Sequence, residues 1–141
     1  MSTVTPAKMY NHFVAKSTTS IGREAERAAA EYLEKLGFRI VVFNWRTRRA
    51  EIDIVAEEIK KISLLKKQKI IHFVEVKYRK TSDFGDGLEY ITLKKLIQLE
   101  FATSEWVHEN EWAGDYQIDA IAVSGNSAEG WGFDYRPNVV C

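Results

Sequence analysis

The fold is decided by one stretch, Ile70-Ile71-His72-Phe73-Val74-Glu75-Val76-Lys77-Tyr78. It is rich in β-branched and aromatic residues, which is typical of a strand. Side chains alternate along a strand, so Glu75 and Lys77 share one face while Val74 and Val76 take the other. A packed sheet normally has apolar residues at such positions, so the two charges indicate either a solvated face or a site.

A second alternating stretch precedes it, Glu51-Ile52-Asp53-Ile54-Val55-Ala56. The alternation predicts that Ile52 and Ile54 share one face and that Asp53 lies on the opposite one. The lysine-rich segment between the two stretches would join them as a hairpin. In that hairpin Asp53 lies across from Glu75, at the distance at which two carboxylates share one cation.

Asp53, Glu75 and Lys77 then have two interpretations. They form a solvated strand face with an ion pair that contributes little to stability, or they form a metal site. Two neighbouring carboxylates are costly unless a cation or a proton neutralises them. Magnesium prefers carboxylate and carbonyl oxygens, so Asp53, Glu75 and the backbone carbonyl of Val76 would suffice as its ligands. Phosphodiester hydrolysis needs such a cation, an activated water and a positive group, which Lys77 would supply.

Composition limits the class of protein. The chain has 141 residues, and its 20 lysines and arginines balance 20 acidic residues, so a nucleic-acid partner must be met by local basic patches. The only cysteine is Cys141, which leaves no disulfide framework and suits a reducing cytoplasm. No apolar run is long enough to span a bilayer, and the N-terminus lacks a signal-peptide core. We expect a mobile arm over residues 1–20 and a single domain over residues 21–141.

The pattern predicts a mixed α/β fold. Ser20 caps a helix over residues 21–36, which Gly37 ends with a positive φ. Strands are predicted over residues 38–43, 51–57, 62–65, 70–78, 116–124 and 131–135, with a turn at 66–69 and a loop at 83–87. A second helix over residues 92–110 turns Leu99 inward and Lys94 and Lys95 outward. The order α-β-β-β-β-α-β, with a short edge strand after it, gives a mixed sheet with a helix on each face.

Basic residues cluster in three places. The first cluster, Arg46, Arg48 and Arg49, precedes Asp53, and the third cluster follows Glu75. These two clusters flank the proposed site and are predicted to position phosphates. The third cluster consists of Lys77, Tyr78, Arg79 and Lys80. The middle cluster, residues 60–69, is interpreted as a solvated turn. Tyr78 and Trp45 either stack on bases or pack in the protein.

The three histidines argue against a zinc site or a histidine nuclease. His12, His72 and His108 are scattered along the chain. His72 is also predicted to lie on the strand face opposite Glu75, which separates it from the carboxylates.

Further residues extend the pattern beyond these strands. They are Gly22-Arg23-Glu24-Ala25-Glu26-Arg27-Ala28-Ala29, Tyr32-Leu33, Gly37-Phe38, Asn44, Glu51-Ile52-Asp53, Phe73-Val74-Glu75-Val76-Lys77-Tyr78-Arg79, Lys94 and Ile118-Asp119. In order and spacing this set resembles the YraN-like predicted endonucleases, over about residues 21–123. The resemblance implies a restriction-endonuclease-like core related to archaeal Holliday junction resolvases. It matches Asp53, Glu75 and Lys77 to the PD-(D/E)xK signature and adds Glu26 as a fourth acidic member.

This resemblance implies a Mg²⁺- or Mn²⁺-dependent endonuclease that acts on structured or branched DNA. Asp53 and Glu75 would hold the metal, and Lys77 would orient the attacking water or stabilise the pentacovalent phosphate. Glu26 would bind the metal through water or tune Lys77, unless it only complements the helix dipole. Lys94 is included among the predicted nucleic-acid-binding residues. A homodimer is left open, and a membrane is not expected.

Two other functions remain open at this point. One is a non-catalytic nucleic-acid-binding module in a DNA repair or recombination assembly, and the other is a structural interaction protein with an ion-pair network. Two residues also depart from the family pattern. Ala50 replaces a usual glycine, which bears on a backbone turn, and Gln117 replaces a usual arginine, which removes a charge near Asp119.

Overall fold

The computed structural model describes residues 20–79 and 91–140. Their elements, in chain order, are helix α1 (Ser20–Lys35), strands β1 (Arg39–Arg46), β2 (Glu51–Lys61) and β3 (Lys67–Arg79), helix α2 (Leu93–Glu109), and strands β4 (Asp115–Asn126) and β5 (Gly130–Arg136). The predicted mixed α/β class with a helix on each side of the sheet is confirmed. The predicted loop at residues 83–87 and the predicted arm before Ser20 lie outside the described residues.

The five strands form one sheet in the order β1-β2-β3-β4-β5. Neighbouring strands are antiparallel except β3 and β4, which are parallel and joined through α2. A parallel pair requires such a crossover. The central strand β3 therefore carries Glu75 and Lys77 between β2, which holds Asp53, and β4.

Each face of the sheet packs against one helix. On one face Ala25, Ala29 and Leu33 of α1 pack against Val74 and its neighbours. On the other face α2 buries the residues Leu99, Ala102 and Trp106 against Ile71 and Phe73. Among the described residues, neither helix is long and apolar enough to cross a membrane.

The end of α1 agrees with its sequence. Gly37 has φ 103°, a value that favours glycine because it has no Cβ. Its N–H donates to the Glu34 carbonyl at 2.9 Å, and the Phe38 N–H donates to the Leu33 carbonyl at 3.0 Å. These bonds satisfy carbonyls that the last helical turn leaves unpaired, and the chain enters β1 directly.

Residues 62–65 do not form the predicted short strand. They make the turn between β2 and β3, closed by hydrogen bonds of the Ile62 and Ser63 N–H groups to the Lys66 carbonyl. Leu64 and Leu65 are 91% and 99% exposed. The observed order is thus α-β-β-β-α-β-β, because apolar residues here occupy the reversal of a hairpin.

The strict alternation predicted for residues 52–54 is also wrong. Ile52 packs in the α2-side core, whereas Ile54 packs in the α1-side core. The same switch occurs on β1, where Phe43 and Trp45 lie in different cores. Between them Asn44 has φ 51°, in the left-handed region that asparagine tolerates better than most residues. The register of β1 and β2 shifts between Ile40 and Val42, and their pairing skips Asn44 and Asp53.

Candidate active site

The candidate site lies where β2 leaves β3. Their ladder ends at the pair Ile54 and Val74, one residue before the register would place Asp53 across from Glu75. Instead of continuing the ladder, the Val76 N–H donates to Asp53 Oδ2 at 2.8 Å. Because a side chain replaces the backbone partner, the strands separate and a cleft opens.

The cleft has a volume of about 230 Å³. The four residues predicted as catalytic, Glu26, Asp53, Glu75 and Lys77, all line it. The remaining lining residues are Gly22, Ala25, Glu51, Val76, Tyr78 and Lys95. Four carboxyl groups therefore face two ammonium groups in one small space. We call this set the acidic cleft.

The first helix contributes Glu26. Its side chain is buried, 8% exposed, whereas Glu24 is exposed. The Asn44 side chain donates a hydrogen bond to the Glu26 carboxylate. Asn44 is the residue with the left-handed backbone. The sequence left open whether Glu26 serves the helix dipole or a site, and its burial in the cleft favours the site.

Burial and like charge disfavour ionised carboxylates in the cleft. Burial raises the pKa of Glu26 to about 7, with the charges of Glu51 and Glu75 acting in the same direction. Burial also raises the pKa of Asp53 well above its usual range, and the Glu75 and Glu26 charges add to that effect. The cleft thus retains protons at a pH where exposed carboxyl groups have lost them.

Glu75 has one satisfied and one unsatisfied oxygen. Lys95 Nζ lies 3.4 Å from Glu75 Oε2, whereas the buried Oε1 has no hydrogen-bond partner among the described residues. Burial raises the pKa of Glu75, and the Lys95 ammonium partly opposes that effect. A buried oxygen without a donor is costly, so this atom identifies a place for a further cation or donor.

A divalent cation fits this donor set. Within residues 20–79 and 91–140, no three histidine, cysteine, aspartate or glutamate side chains converge as a ready ligand group. Asp53 and Glu75 offer two carboxylates, and Val76 lines the same cleft. Magnesium commonly binds one or two carboxylates and retains water for its other positions, so two carboxylates, one of which has an oxygen without a hydrogen-bond partner in the described part of the chain, suit it.

The arginines predicted to bind nucleic acid form a turn next to the acidic cleft. Thr47 closes the turn: its N–H donates to the Ala50 carbonyl at 2.8 Å, and its hydroxyl oxygen accepts from the Arg49 and Ala50 N–H groups. Arg46, Arg48 and Arg49 are exposed. Ala50 has no positive φ, so the turn tolerates a residue other than glycine there.

A second cleft of about 280 Å³ connects this turn with α2. Arg46, Arg48 and Arg49 line it, together with Gln98 and Leu99. It shares Glu51 and Lys95 with the acidic cleft, so the two clefts are adjacent. We call it the arginine cleft.

The other predicted nucleic-acid-binding residues are placed less uniformly. Lys94 is exposed on α2, and Arg79 is half-buried at the end of β3. Tyr78 packs against the α1-side core, and its hydroxyl donates to the Gly125 carbonyl at 3.3 Å. Trp45 is buried, which makes packing its role. Lys80 lies outside the described residues.

Sequence reasoning missed three residues of this region. Lys95 was expected to face outward, but its ammonium reaches Glu75. Glu51 lines both clefts, and its place two residues before Asp53 was the available signal. Asn44, which the resemblance included without a role at the site, contacts Glu26 from a left-handed backbone.

A second buried polar cluster lies away from the acidic cleft. Asp119 Oδ2 accepts from the Tyr135 hydroxyl at 2.6 Å and lies 2.6 Å from His72 Nδ1. Its Oδ1 accepts from Gln117 Nε2 and the Asn138 N–H, both at 2.8 Å. The other histidine nitrogen, Nε2, lies 2.8 Å from a Glu58 oxygen. We call these residues the Asp119 network.

The partners in the Asp119 network favour the charged forms of Asp119 and His72. Burial alone would raise the pKa of Asp119, but its four hydrogen bonds outweigh burial and lower it. Burial would likewise lower the pKa of His72, yet Asp119 and Glu58 raise it. Gln117 supplies one of the four bonds, so the residue that departs from the family pattern keeps a donor to Asp119.

Comparison with known proteins places the chain in a family. The model of the uncharacterised protein family UPF0102 matches residues 25–123. The chain belongs to the UPF0102 family. The match runs from α1 into β4, so it includes every residue that lines the acidic cleft except Gly22.

Individual UPF0102 proteins are similar over most of their lengths. One from Sulfurihydrogenibium sp. (strain YO3AOP1) is 37% identical over 109 residues, which cover 77% of this chain and 87% of the relative. Another from Leifsonia xyli is 38% identical, covering 73% and 80%. A third from Herpetosiphon aurantiacus is 32% identical, covering 79% and 86%.

Proposed function

We propose that this protein is a metal-dependent endonuclease of the restriction-endonuclease-like, PD-(D/E)xK type, which hydrolyses phosphodiester bonds in structured or branched DNA. The observation that carries the proposal is the convergence of Asp53, Glu75 and Lys77 in one cleft with Glu26 from the first helix. Three of these residues come from two diverging strands, which places them around an opening rather than within a packed sheet.

Asp53, Glu75 and the Val76 carbonyl would hold Mg²⁺ or Mn²⁺. The bound cation would neutralise charge on the phosphate and lower the pKa of a water. The Val76 N–H fixes the Asp53 carboxylate from the strand side. This contact preorganises the carboxylate, which is where much of an electrostatic contribution to catalysis originates.

Lys77 and Glu26 have the remaining roles. Lys77 is exposed at the cleft, where its ammonium would orient the attacking water or stabilise charge on the pentacovalent phosphate. Glu26, with a pKa of about 7, would bind the metal through water or tune Lys77. The arginine cleft next to the site would hold the DNA backbone, since phosphate contacts position a nucleic acid without reading its sequence.

The test is cleavage of four-way and flapped DNA under single-turnover conditions with Mg²⁺ or Mn²⁺. Lys77→Met removes the charge and keeps most of the stem, so we expect cleavage to fall about a hundredfold or more, by analogy with loss of one preorganised group. Calorimetry should show Mn²⁺ binding retained in Lys77→Met and lost in Glu75→Ala. Lys61→Met, an exposed change at the far end of β2, is the charge-matched control.

Two results would decide against this proposal. If Lys77→Met cleaves at the wild-type rate, Lys77 is a strand-face residue and its assigned role is wrong. If the wild type binds DNA but cleaves none of these substrates with either metal, a non-catalytic nucleic-acid-binding module becomes the better account.

A further inference from the structure

Lys95 places a positive charge in the first turn of its helix, where positive charge is disfavoured. Helix α2 begins after the N-cap Thr92, whose hydroxyl oxygen accepts from the Lys95 N–H at 3.1 Å. Its first turn holds Lys94 and Lys95 and no acidic residue. Because a helix N-terminus carries positive partial charge, two lysines there do not help the helix. Unlike the exposed Lys94, the Lys95 ammonium has a charged partner in the part of the chain that the structure describes.

That partner is Glu75. Lys95 Nζ lies 3.4 Å from Glu75 Oε2, and the Lys95 side chain stays 36% exposed while that of Glu75 is 10% exposed. Lys94, one residue earlier, is exposed on the same helix. The pair therefore joins a buried acid to a cation that can still reach solvent.

Lys95 also lies at the border between the two clefts. It lines the acidic cleft with Glu75 and the arginine cleft with Arg46, Arg48 and Arg49. A lysine has a flexible four-carbon stem that ends in a compact point charge. A change of side-chain rotamer can therefore move its ammonium from one cleft toward the other without a change in the backbone.

We propose that Lys95 is an exchangeable cation: it pairs with Glu75 while the cleft is free of metal, and it turns to a DNA phosphate in the arginine cleft when a divalent cation binds Glu75. This inference rests on the metal-dependent nuclease proposed above. The driving force is repulsion, because an ammonium and a divalent cation on one carboxylate are like charges at short range. Metal binding would thereby strengthen DNA binding through a residue of the chain itself.

The first measurement is Mn²⁺ affinity by calorimetry at pH 8, without DNA. Lys95→Met removes the competing ammonium, so we expect Mn²⁺ to bind about three- to tenfold more tightly than in the wild type, the size of effect that one close charge commonly has. Lys94→Met removes the same charge from the exposed face and should leave Mn²⁺ affinity unchanged. Lys95→Gln repeats the test if the methionine variant does not fold.

The second measurement is affinity for a four-way DNA junction in EDTA and in Ca²⁺, with the DNA checked for integrity. The wild type should bind more tightly in Ca²⁺, and Lys95→Met should lose most of that gain. Lys94→Met should weaken binding about equally in both conditions, since an ordinary phosphate contact does not depend on the metal. Lys95→Arg keeps the charge and should recover part of the gain.

The outcomes separate this inference from the proposed function. If the wild type binds Mn²⁺ and cleaves DNA while Lys95→Met behaves as Lys94→Met in both assays, exchange is wrong and the nuclease stands. Weaker Mn²⁺ binding by Lys95→Met also overturns exchange, because Lys95 would then support Glu75 as a ligand. A wild type that binds no Mn²⁺ overturns both.

Discussion

The acidic cleft and the Asp119 network bury carboxyl groups in the same sheet with opposite results. Asp119 accepts four hydrogen bonds and keeps a pKa below its ordinary value. Asp53 and Glu75 are buried to a similar degree, yet their pKa values are raised. The difference lies in the partners. The network supplies four hydrogen bonds to its carboxylate, whereas in the cleft neighbouring negative charges add to burial and Glu75 Oε1 has no hydrogen-bond partner within residues 20–79 and 91–140.

This difference distinguishes a structural cluster from a site. Hydrogen bonds to an ionised carboxylate favour its charge, while desolvation and like charges disfavour it. Within the described residues, both oxygens of Asp119 have hydrogen-bond partners from the protein. In the acidic cleft, burial and neighbouring negative charges raise the pKa values of the carboxyl groups, so loss of their protons is disfavoured. Removing a carboxylate should therefore have opposite effects on stability in the two regions.

The largest effect is expected for Asp119→Asn. The substituted amide cannot accept on both sides, and it leaves the buried His72 without its closest charge, so we expect a loss of about 3 kcal/mol in the free energy of unfolding. Urea unfolding at pH 7 measures it. Asp134→Asn, which breaks a half-exposed pair with Arg136, is the control and should cost less than about 1 kcal/mol. Equal losses in both variants would contradict the comparison.

A smaller effect of opposite sign is expected for Glu26→Gln. The folded state binds the Glu26 proton more tightly than the unfolded state, because its pKa rises from 4.5 to about 7. The stability that this tighter proton binding contributes is fully present below pH 4.5 and is lost as the pH rises through 7. The free energy of unfolding of the metal-free wild type therefore falls by about 2 kcal/mol over that range. Glu26→Gln should be more stable than the wild type at pH 8 by a similar amount.

Urea unfolding in EDTA between pH 4.5 and pH 8 measures this effect. The exposed Glu24→Gln on the same helix is the matched control and should follow the wild type. His72 also has a raised pKa and is present in every variant, so its contribution cancels in the difference. The Glu26 charge raises the pKa of Asp53, so the difference between variants reports Glu26 together with its effect on Asp53. A Glu26→Gln profile parallel to that of the wild type would show that the cleft does not hold this proton.

The smallest effect concerns Gln117. Its amide donates to Asp119 Oδ1, so Gln117→Ala should cost about 1 kcal/mol, the usual net value of one hydrogen bond. Gln117→Arg introduces the residue that the sequence resemblance leads us to expect and keeps a donor, so it should retain most of the wild-type stability. Thermal unfolding of the two variants side by side measures the difference. If Gln117→Arg lowers stability as much as Gln117→Ala does, the number of hydrogen-bond donors does not explain the stability of the Asp119 network.

Much of the fold was predictable because local rules and tertiary structure agree. The 3.6-residue stripe of α1, the positive φ of Gly37 and the strands around Asp53 and Glu75 all follow from side-chain period and backbone sterics. The hairpin also predicted that Asp53 and Glu75 lie close together, and both line the acidic cleft, although the β2–β3 ladder ends one residue before it would pair them. Residues 62–65 failed this reasoning because Ile62, Leu64 and Leu65 have strand-like composition but occupy the chain reversal.

The rest of the site was not predictable from period alone. Lys95 lies on the helical face that spacing assigns to solvent, and only the placement of α2 beside β3 brings its ammonium to Glu75. The break at Asn44 and Asp53 arises where β1 and β2 change faces together. At such an irregularity the tertiary structure overrides the alternation of side chains along a strand. Sequence-based prediction is expected to fail in this way at functional sites.

The parallel pairing of β3 with β4 has a consequence for folding kinetics. His72 and Asp119, neighbours in that pair, are 47 positions apart, whereas β1, β2 and β3 join through short turns. Closing a long loop costs more entropy than closing a hairpin, so we expect the three-stranded meander to form before α2 and β4 dock. Asp53 and Glu75 both belong to the meander and would meet before Lys95 arrives. We expect their repulsion to slow formation of the meander. The folding rate should then depend on the pH and on the concentration of dissolved cations.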